Sequence, residues 1–194
     1  MRGVEHIPWL YDGFMALVDR GGLGRWRDWL AGGARGRVLE VGCGTGRNLP
    51  RYGAAARPMG LEPDFGLLLR ARRRAAGVPL VGGLAEALPF ADGCFDTVVS
   101  SLTFCSVDDP RRGLAELRRV LAAGGALRML EHVRAVSPRW ARVQDLLQPA
   151  WTWFTGGCRP NRPTEQWVEE AGFRIEPEGR RSRRELRRFQ ARPG

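Results

Sequence analysis

The stretch RVLEVGCGTGRNL, residues 37–49, constrains the fold more than any other part of the chain. Val38 to Val41 is a short apolar strand, glycines follow at 42, 44 and 46, and the run from Gly46 to Tyr52 has the character of a helix start. A strand that turns on glycines into a helix is the opening unit of an α/β sheet, and the turn is where such sheets hold ligands. A dinucleotide turn wants G-x-G-x-x-G. Here the third glycine comes one residue early, with Arg47 in its place, and Glu40 at the strand end repels a diphosphate. A triphosphate loop needs a lysine after its last glycine, and the chain contains none.

A ligand that carries both a carboxylate and a positive charge fits better. Amides at a helix N-terminus after Gly46 suit a carboxylate. Glu40 can neutralise an ammonium, directly or through water. A second acid, Glu62, ends the next strand and is placed to accept hydrogen bonds from two ribose hydroxyls. An amino acid, a ribose and a cationic centre together describe S-adenosylmethionine.

Along the chain, strands alternate with helices. RPMGLEP is a second strand, and Asp64 caps a helix through Ala76 that stops at Gly77. VPLVGG and FDTVVSS are the third and fourth strands. Asp109 and Pro110 start a helix, PRRGLAELRRVLAA, which Gly124-Gly125 ends, and ALRMLEHV is the fifth strand. Ser137-Pro138 opens another helix with Trp140, Val143, Leu147, Trp151 and Phe154 on one stripe, and Pro149 is expected to kink or end it. Thr164 is the expected cap of EQWVEEAG, and FRIEP and RRFQAR close the chain as a hairpin. The expected fold is α/β: a Rossmann-like, doubly wound seven-stranded sheet, mostly parallel, with a C-terminal antiparallel hairpin. Apolar and aromatic residues before Arg35 read as an N-terminal helical cap, residues 1–34, on a domain of residues 35–194.

EVGCGTG resembles motif I of the class I S-adenosylmethionine-dependent methyltransferases, and GLEP resembles their ribose-binding motif. AEALPFADGCFDTVVSS and LAELRRVLAAGG are similar to the following segments of the methyltransferase type 11 group, which includes the ubiquinone-biosynthesis enzymes. The likeness runs from about Arg35 to Val133. It implies a cofactor site made of Glu40, Gly42, Cys43, Gly44, Thr45, Gly46, Asn48, Glu62, Pro63 and Ser101, with Ala85 and Glu86 beside the adenine. Many relatives place an aspartate before that Ala-Glu pair, where this chain has Leu84. Tyr11 is the expected lid contact.

For the acceptor, the C-terminal ends of strands four and five single out SLTFCSV and LEHVR, which place Cys105, Ser106, Glu131 and His132 near the transferred methyl. SLTFCSV, LEHV, GCGTGRN and QPAWTWFTGGC are similar to segments of the methyltransferase-like seven group, membrane-associated thiol S-methyltransferases acting on small thiols. The resemblance implies a small apolar acceptor, a thiol first. The expected pocket residues are Phe104, Cys105, Trp153 and Phe154, with Trp140 and Trp151 left to the core. A thiol reacts as thiolate from an ordinary pKa of about 8.5, so His132, with an ordinary pKa of about 6.5, is the expected catalytic base. The competing reading is a phospholipid-amine or quinol methyltransferase working at a membrane surface; a non-catalytic binding module is the third.

Composition trims the remaining classes. All 31 basic residues are arginine, and the net charge of +10 sits in an Ala-, Gly- and Pro-rich chain. Its densest cluster, GRRSRRELRR, reads as a solvated edge, so no specific nucleic-acid partner is expected. No apolar run is long enough to span a bilayer, and MRGVEHIPWL lacks the pattern of a signal peptide. The expected setting is cytoplasmic, with at most weak contact at a membrane surface. Four scattered cysteines read as free thiols, and their spacing gives no metal site. Oligomeric state is not legible.

Overall fold

The computed structural model describes residues 13, 19–155 and 157–194. Tyr11 and half of the expected cap segment lie outside them. Seven strands form one sheet: β1 (Gly36–Val41), β2 (Ala56–Glu62), β3 (Leu80–Gly82), β4 (Phe95–Ser101), β5 (Leu121–His132), β6 (Phe173–Arg183) and β7 (Leu186–Pro193). Their order is β3-β2-β1-β4-β5-β7-β6. The first five pair in parallel, and β7 runs antiparallel between β5 and β6. The chain therefore winds outward from β1 to β3 and returns to β4 on the other side of β1. That reversal opens a crevice at the carboxyl ends of β1 and β4.

Five helices lie among the described residues: α1 (Gly24–Gly32), α2 (Phe65–Arg74), α3 (Pro110–Val120), α4 (Pro138–Thr155) and α5 (Thr164–Glu170). Alternation along the strands divides the core. Leu39, Val41, Val98, Leu127, Met129 and Phe189 pack with Leu114 and Leu117 of α3 and Val168 of α5. Val38, Val99 and Leu130 face the other way, onto Leu23, Leu30 and Ala34. The segment before β1 is thus seated on the sheet. Arg128 fixes it there: its guanidinium donates to Leu30 O at 2.9 Å and Trp29 O at 2.6 Å, closing the carbonyl end of α1, and stacks 4.0 Å from the Trp29 ring.

Several expected boundaries move. The helix start at Gly46–Tyr52 is only a three-residue 3-10 turn, Leu49–Arg51. Pro50 lies inside it, and the turn closes on short-range bonds. Helix α3 stops at Val120, where Leu121 is already extended, so β5 begins before Gly124. Helix α4 continues across Pro149 to Thr155. Thr164 does not cap α5. Pro163 precedes the helix, and the Thr164 hydroxyl donates instead to His132 O at 3.4 Å. Asp64 and Asp109 do cap as expected, accepting from Leu67 N and Arg112 N. No described helix is long and apolar enough to cross a membrane.

Candidate functional site

The carboxyl ends of β1, β2 and β4 surround a cavity of about 410 Å³, within the range that holds a cofactor-sized ligand. Its floor is the glycine turn. Gly42, at φ 67°, has no room for a side chain, because a Cβ would lie 2.3 Å from Thr103. Gly44, at φ 54°, faces open space: a Cβ there would meet no protein atom within 4 Å. The turn is therefore closed behind and bare in front, which lets a ligand approach the backbone.

Two buried carboxyl groups flank it. Glu62 accepts from Gly44 N at 3.0 Å through one oxygen and from Asp64 N at 3.2 Å through the other. Burial pushes its carboxyl above the usual range, and these two amides partly offset the rise. Glu40 is 1% exposed and accepts from Asn48 Nδ2 at 2.7 Å and Tyr52 Oη at 2.9 Å. Burial carries Glu40 up to about 7, against the pull of Asn48, Tyr52 and the Arg27 guanidinium.

Sequence reasoning missed Arg27. It sits on α1, carries no motif, is 4% exposed, and reaches the cavity wall across the sheet end. Its Nη1 donates to Asn48 Oδ1 at 2.8 Å and Ser101 Oγ at 3.1 Å, and its Nε pairs with Asp19 at 3.0 Å. Arg47 also pairs with Asp19, at 2.5 Å. The cationic partner expected from a helix dipole after Gly46 is therefore supplied by a side chain instead. The 3-10 turn is too short to carry a dipole of any size, and the amides of Gly42, Cys43 and Gly46 bond within the turn or to Leu61 O.

Of the expected cofactor residues, Glu40, Gly42, Cys43, Gly44, Thr45, Asn48, Glu62, Pro63, Ala85, Glu86 and Ser101 line this cavity. Gly46 stands behind it, where a Cβ would lie 2.9 Å from Ala71 Cα, so only glycine lets α2 pack this closely. Glu86 accepts from Asp108 N and Asp109 N at 3.0 and 3.2 Å, tying the far wall to the start of α3. Asp64, Leu67, Leu84 and Val107 also line it.

The acceptor-side residues are arranged differently from expectation. Phe104 is fully buried in the core, where its ring lies against the position a Gly113 Cβ would take, 3.1 Å away. Trp153 and Phe154 are exposed on α4 and line no wall of the cavity. Trp140 and Trp151, expected in the core, are exposed on the same helix. Glu131 lies beneath the turn after β4, accepting from Ser100 Oγ at 2.7 Å and Thr103 N at 3.1 Å. That support holds Leu102, a cavity residue, at φ 57°, a left-handed conformation rare for a branched side chain. Ser106 lines the cavity, but His132 does not. The sulfurs of Cys105 and Cys158 and a His132 ring nitrogen instead lie within 4.8 Å of one another. Contact with Cys105 and His132 holds the Cys158 thiol below its ordinary range, while the same pairing and burial push Cys105 up.

Comparison with known proteins gives this geometry a family. Residues 39–129 match the family Methyltransf_11, a methyltransferase domain. Human thiol S-methyltransferase TMT1B is 37% identical over 151 residues, 73% of this chain and 62% of that protein. Human thiol S-methyltransferase TMT1A is 35% identical over 70% of this chain and 59% of its own length. The chain thus spans about six tenths of the length of these curated relatives. A SAM-dependent methyltransferase of Thermotoga maritima shares the fold, with a TM-score of 0.73 over 98% of each chain at 24% identity. The bare glycine turn, the paired acids and these matches agree: residues 39–129 form a methyltransferase domain of the Methyltransf_11 family, in a fold shared with a SAM-dependent methyltransferase.

Proposed function

We propose that this chain transfers a methyl group from S-adenosylmethionine to a small thiol. One observation carries the acceptor class: the 37% identity, over 151 residues, with a protein named as a thiol S-methyltransferase. The cavity supports the cofactor half of the reading. Glu62 is pre-aimed by two backbone amides and is suited to accept from ribose hydroxyls. Arg27 and Glu40, linked through Asn48, offer one positive and one negative partner, the complement of an amino-acid group. Leu84, Ala85 and Val107 supply the apolar contact an adenine needs where Leu84 stands in place of the relatives' aspartate.

When bound, S-adenosylmethionine supplies an electrophilic methyl on a sulfonium. The protein's part is to align the acceptor in line with that carbon and to exclude water, because a thiolate stripped of its hydration shell is the stronger nucleophile. We assign that role to the turn after β4, held by Glu131, and to the end of β5 at His132.

The test is an acceptor panel. Release of S-adenosylhomocysteine is measured with a small alkyl thiol, phosphatidylethanolamine vesicles and a quinol, against a control without acceptor. Release that depends on the thiol, and that His132→Ala loses while still binding S-adenosylhomocysteine, is the expected result. Release with vesicles or quinol only would replace the thiol by the lipid-surface reading.

A further inference from the structure

Three segments far apart in sequence bring their polar ends to one point. Cys105 comes from the turn after β4, His132 from the last position of β5, and Cys158 from the loop after α4. Their ligating atoms lie within 4.8 Å of one another, with Cys158 Sγ 3.8 Å from His132 Nδ1. Both cysteines are buried, and neither forms a disulfide. A tetrahedral zinc with bonds of about 2.3 Å to sulfur and about 2.0 Å to nitrogen sets its ligand atoms roughly 3.5–3.8 Å apart. The Cys158–His132 pair is already at that spacing, and Cys105 Sγ lies within 4.8 Å of both.

The backbone around it is tied independently of these side chains. Arg159 N donates to Cys105 O at 2.8 Å, and Arg162 Nη1 donates to Phe104 O and Val107 O, both at 2.6 Å. Thr152 Oγ1 donates to Cys158 O at 2.9 Å, and the Thr164 hydroxyl reaches His132 O. Ligands held by such supporting bonds need little reorganisation to receive an ion. The charge balance is also suitable: two thiolates neutralise a divalent cation, with the Glu131 carboxyl adjoining and the Arg162 guanidinium committed to carbonyls.

We propose that Cys105, His132 and Cys158 bind a thiophilic divalent cation of the zinc type and leave its fourth position to the sulfur of the acceptor. Two thiolates and an imidazole are the donor set such a cation prefers, and three protein ligands with one open position is the pattern of catalytic rather than structural zinc. The site adjoins the cofactor cavity. Cys105 Sγ lies 3.5 Å from Leu102 O and 3.8 Å from Ser106 Oγ, and both Leu102 and Ser106 line that cavity. The fourth-position role rests on the thiol reading and makes His132 a ligand in place of the base expected from sequence.

The chemistry balances without a further reagent. The acceptor's thiol proton leaves to water as its sulfur binds the cation. That sulfur's electron pair forms the new S–CH3 bond, and the pair from the broken sulfonium C–S bond returns to the cofactor sulfur. Both products are neutral thioethers, weaker ligands than a thiolate, so the fourth position is freed.

The full chain is stripped with a chelator, reloaded with Zn2+ or Co2+, dialysed and assayed for metal content. The Co2+ form is followed by its thiolate-to-cobalt absorption. About one ion per chain is expected, falling at least tenfold in Cys105→Ala, in Cys158→Ala and in His132→Ala. S-adenosylhomocysteine binding by those variants shows that they are folded. Adding a small alkyl thiol without cofactor should shift the cobalt spectrum. Substoichiometric metal in the wild type, or retention unchanged in the variants, overturns the site; bound cobalt blind to the thiol overturns the acceptor role. Turnover separates the two readings. Stripped protein that methylates thiol at the reloaded rate contradicts the metal site alone, whereas a thiol-sensitive metal site without methylated product contradicts the methyltransferase reading alone.

Discussion

Glu62 and Glu40 show what single residues settle and what they leave open. Each stood out in the sequence because an acid at a strand's carboxyl end beside a glycine turn has few structural uses. Glu62→Ala should weaken S-adenosylhomocysteine binding by about 1–3 kcal/mol, the cost of leaving polar partners unpaired. Isothermal titration reads this directly, and unchanged affinity would mean the ribose lies elsewhere. Glu40 gives a pH signature. Its carboxyl is carried up to about 7, and the groups facing it are Asn48, Tyr52, Arg27 and Cys43. An ammonium bound alongside favours the ionised form, so cofactor affinity should tighten as pH rises through about 7 and then level off. Glu40→Gln should flatten that profile, and a wild-type profile flat from pH 6 to 8 would remove Glu40 from the ammonium's surroundings. Arg27 was illegible for a physical reason. An arginine within a helix bears no local mark of function, and only the docking of α1 across the sheet end brings it to Asn48 and Ser101.

Elements were legible to the extent that their signals are local. The alternation of strands and helices, the caps Asp64 and Asp109, and the closing hairpin could all be read from neighbouring residues. The stripe on α4 could not be assigned a side. A repeat of three and four says that a helix has an apolar face, not what covers it, and Trp140, Leu147 and Phe154 are more than half exposed. The arginine cluster near the C-terminus divides in place: Arg180, Arg181 and Arg183 are exposed on β6, an edge strand, whereas Arg187 of β7 is buried and Arg188 lies over the Trp26 and Trp29 rings. Arginine charge on a sheet edge blocks pairing with another chain. Arg128 is the element-scale test of how α1 is held. Arg128→Ala removes charged hydrogen bonds to Trp29 O and Leu30 O, so it should cost about 1.5–3 kcal/mol in urea unfolding. It should also weaken cofactor binding, because α1 carries Arg27. A loss of stability with affinity intact would show that Asp19, Asn48 and Ser101 position Arg27 without the Arg128 clamp.

For the molecule as a whole, the doubly wound, mostly parallel seven-stranded sheet with its closing antiparallel hairpin was the most legible property, since alternating strands and helices restrict the topology. The Cys105, His132 and Cys158 cluster was the least legible, because its members are joined only by folding. The buried carboxyls also set the pH dependence of stability. Glu40 and Glu131 both stand at about 7 in the folded chain, above an ordinary carboxyl near 4.5. The folded state therefore holds protons that the unfolded state has already lost, and their contribution to stability falls as pH rises from about 4.5 to 7 and is constant above. Thermal unfolding of the ligand-free chain at pH 5, 6 and 7 should show that decline once Glu40→Gln serves as reference. Saturating S-adenosylhomocysteine at 100 times its dissociation constant should add about 2.7 kcal/mol.

Isotope tracing tests the proposed methyl transfer from S-adenosylmethionine to a thiol. The purified chain is given S-adenosylmethionine with a deuterated methyl group and a small alkyl thiol, and products are identified by mass spectrometry. The expected product is a thioether carrying all three deuterons, formed in step with S-adenosylhomocysteine and strongly reduced in Glu62→Ala. Cofactor binding without any labelled thioether would overturn thiol methylation.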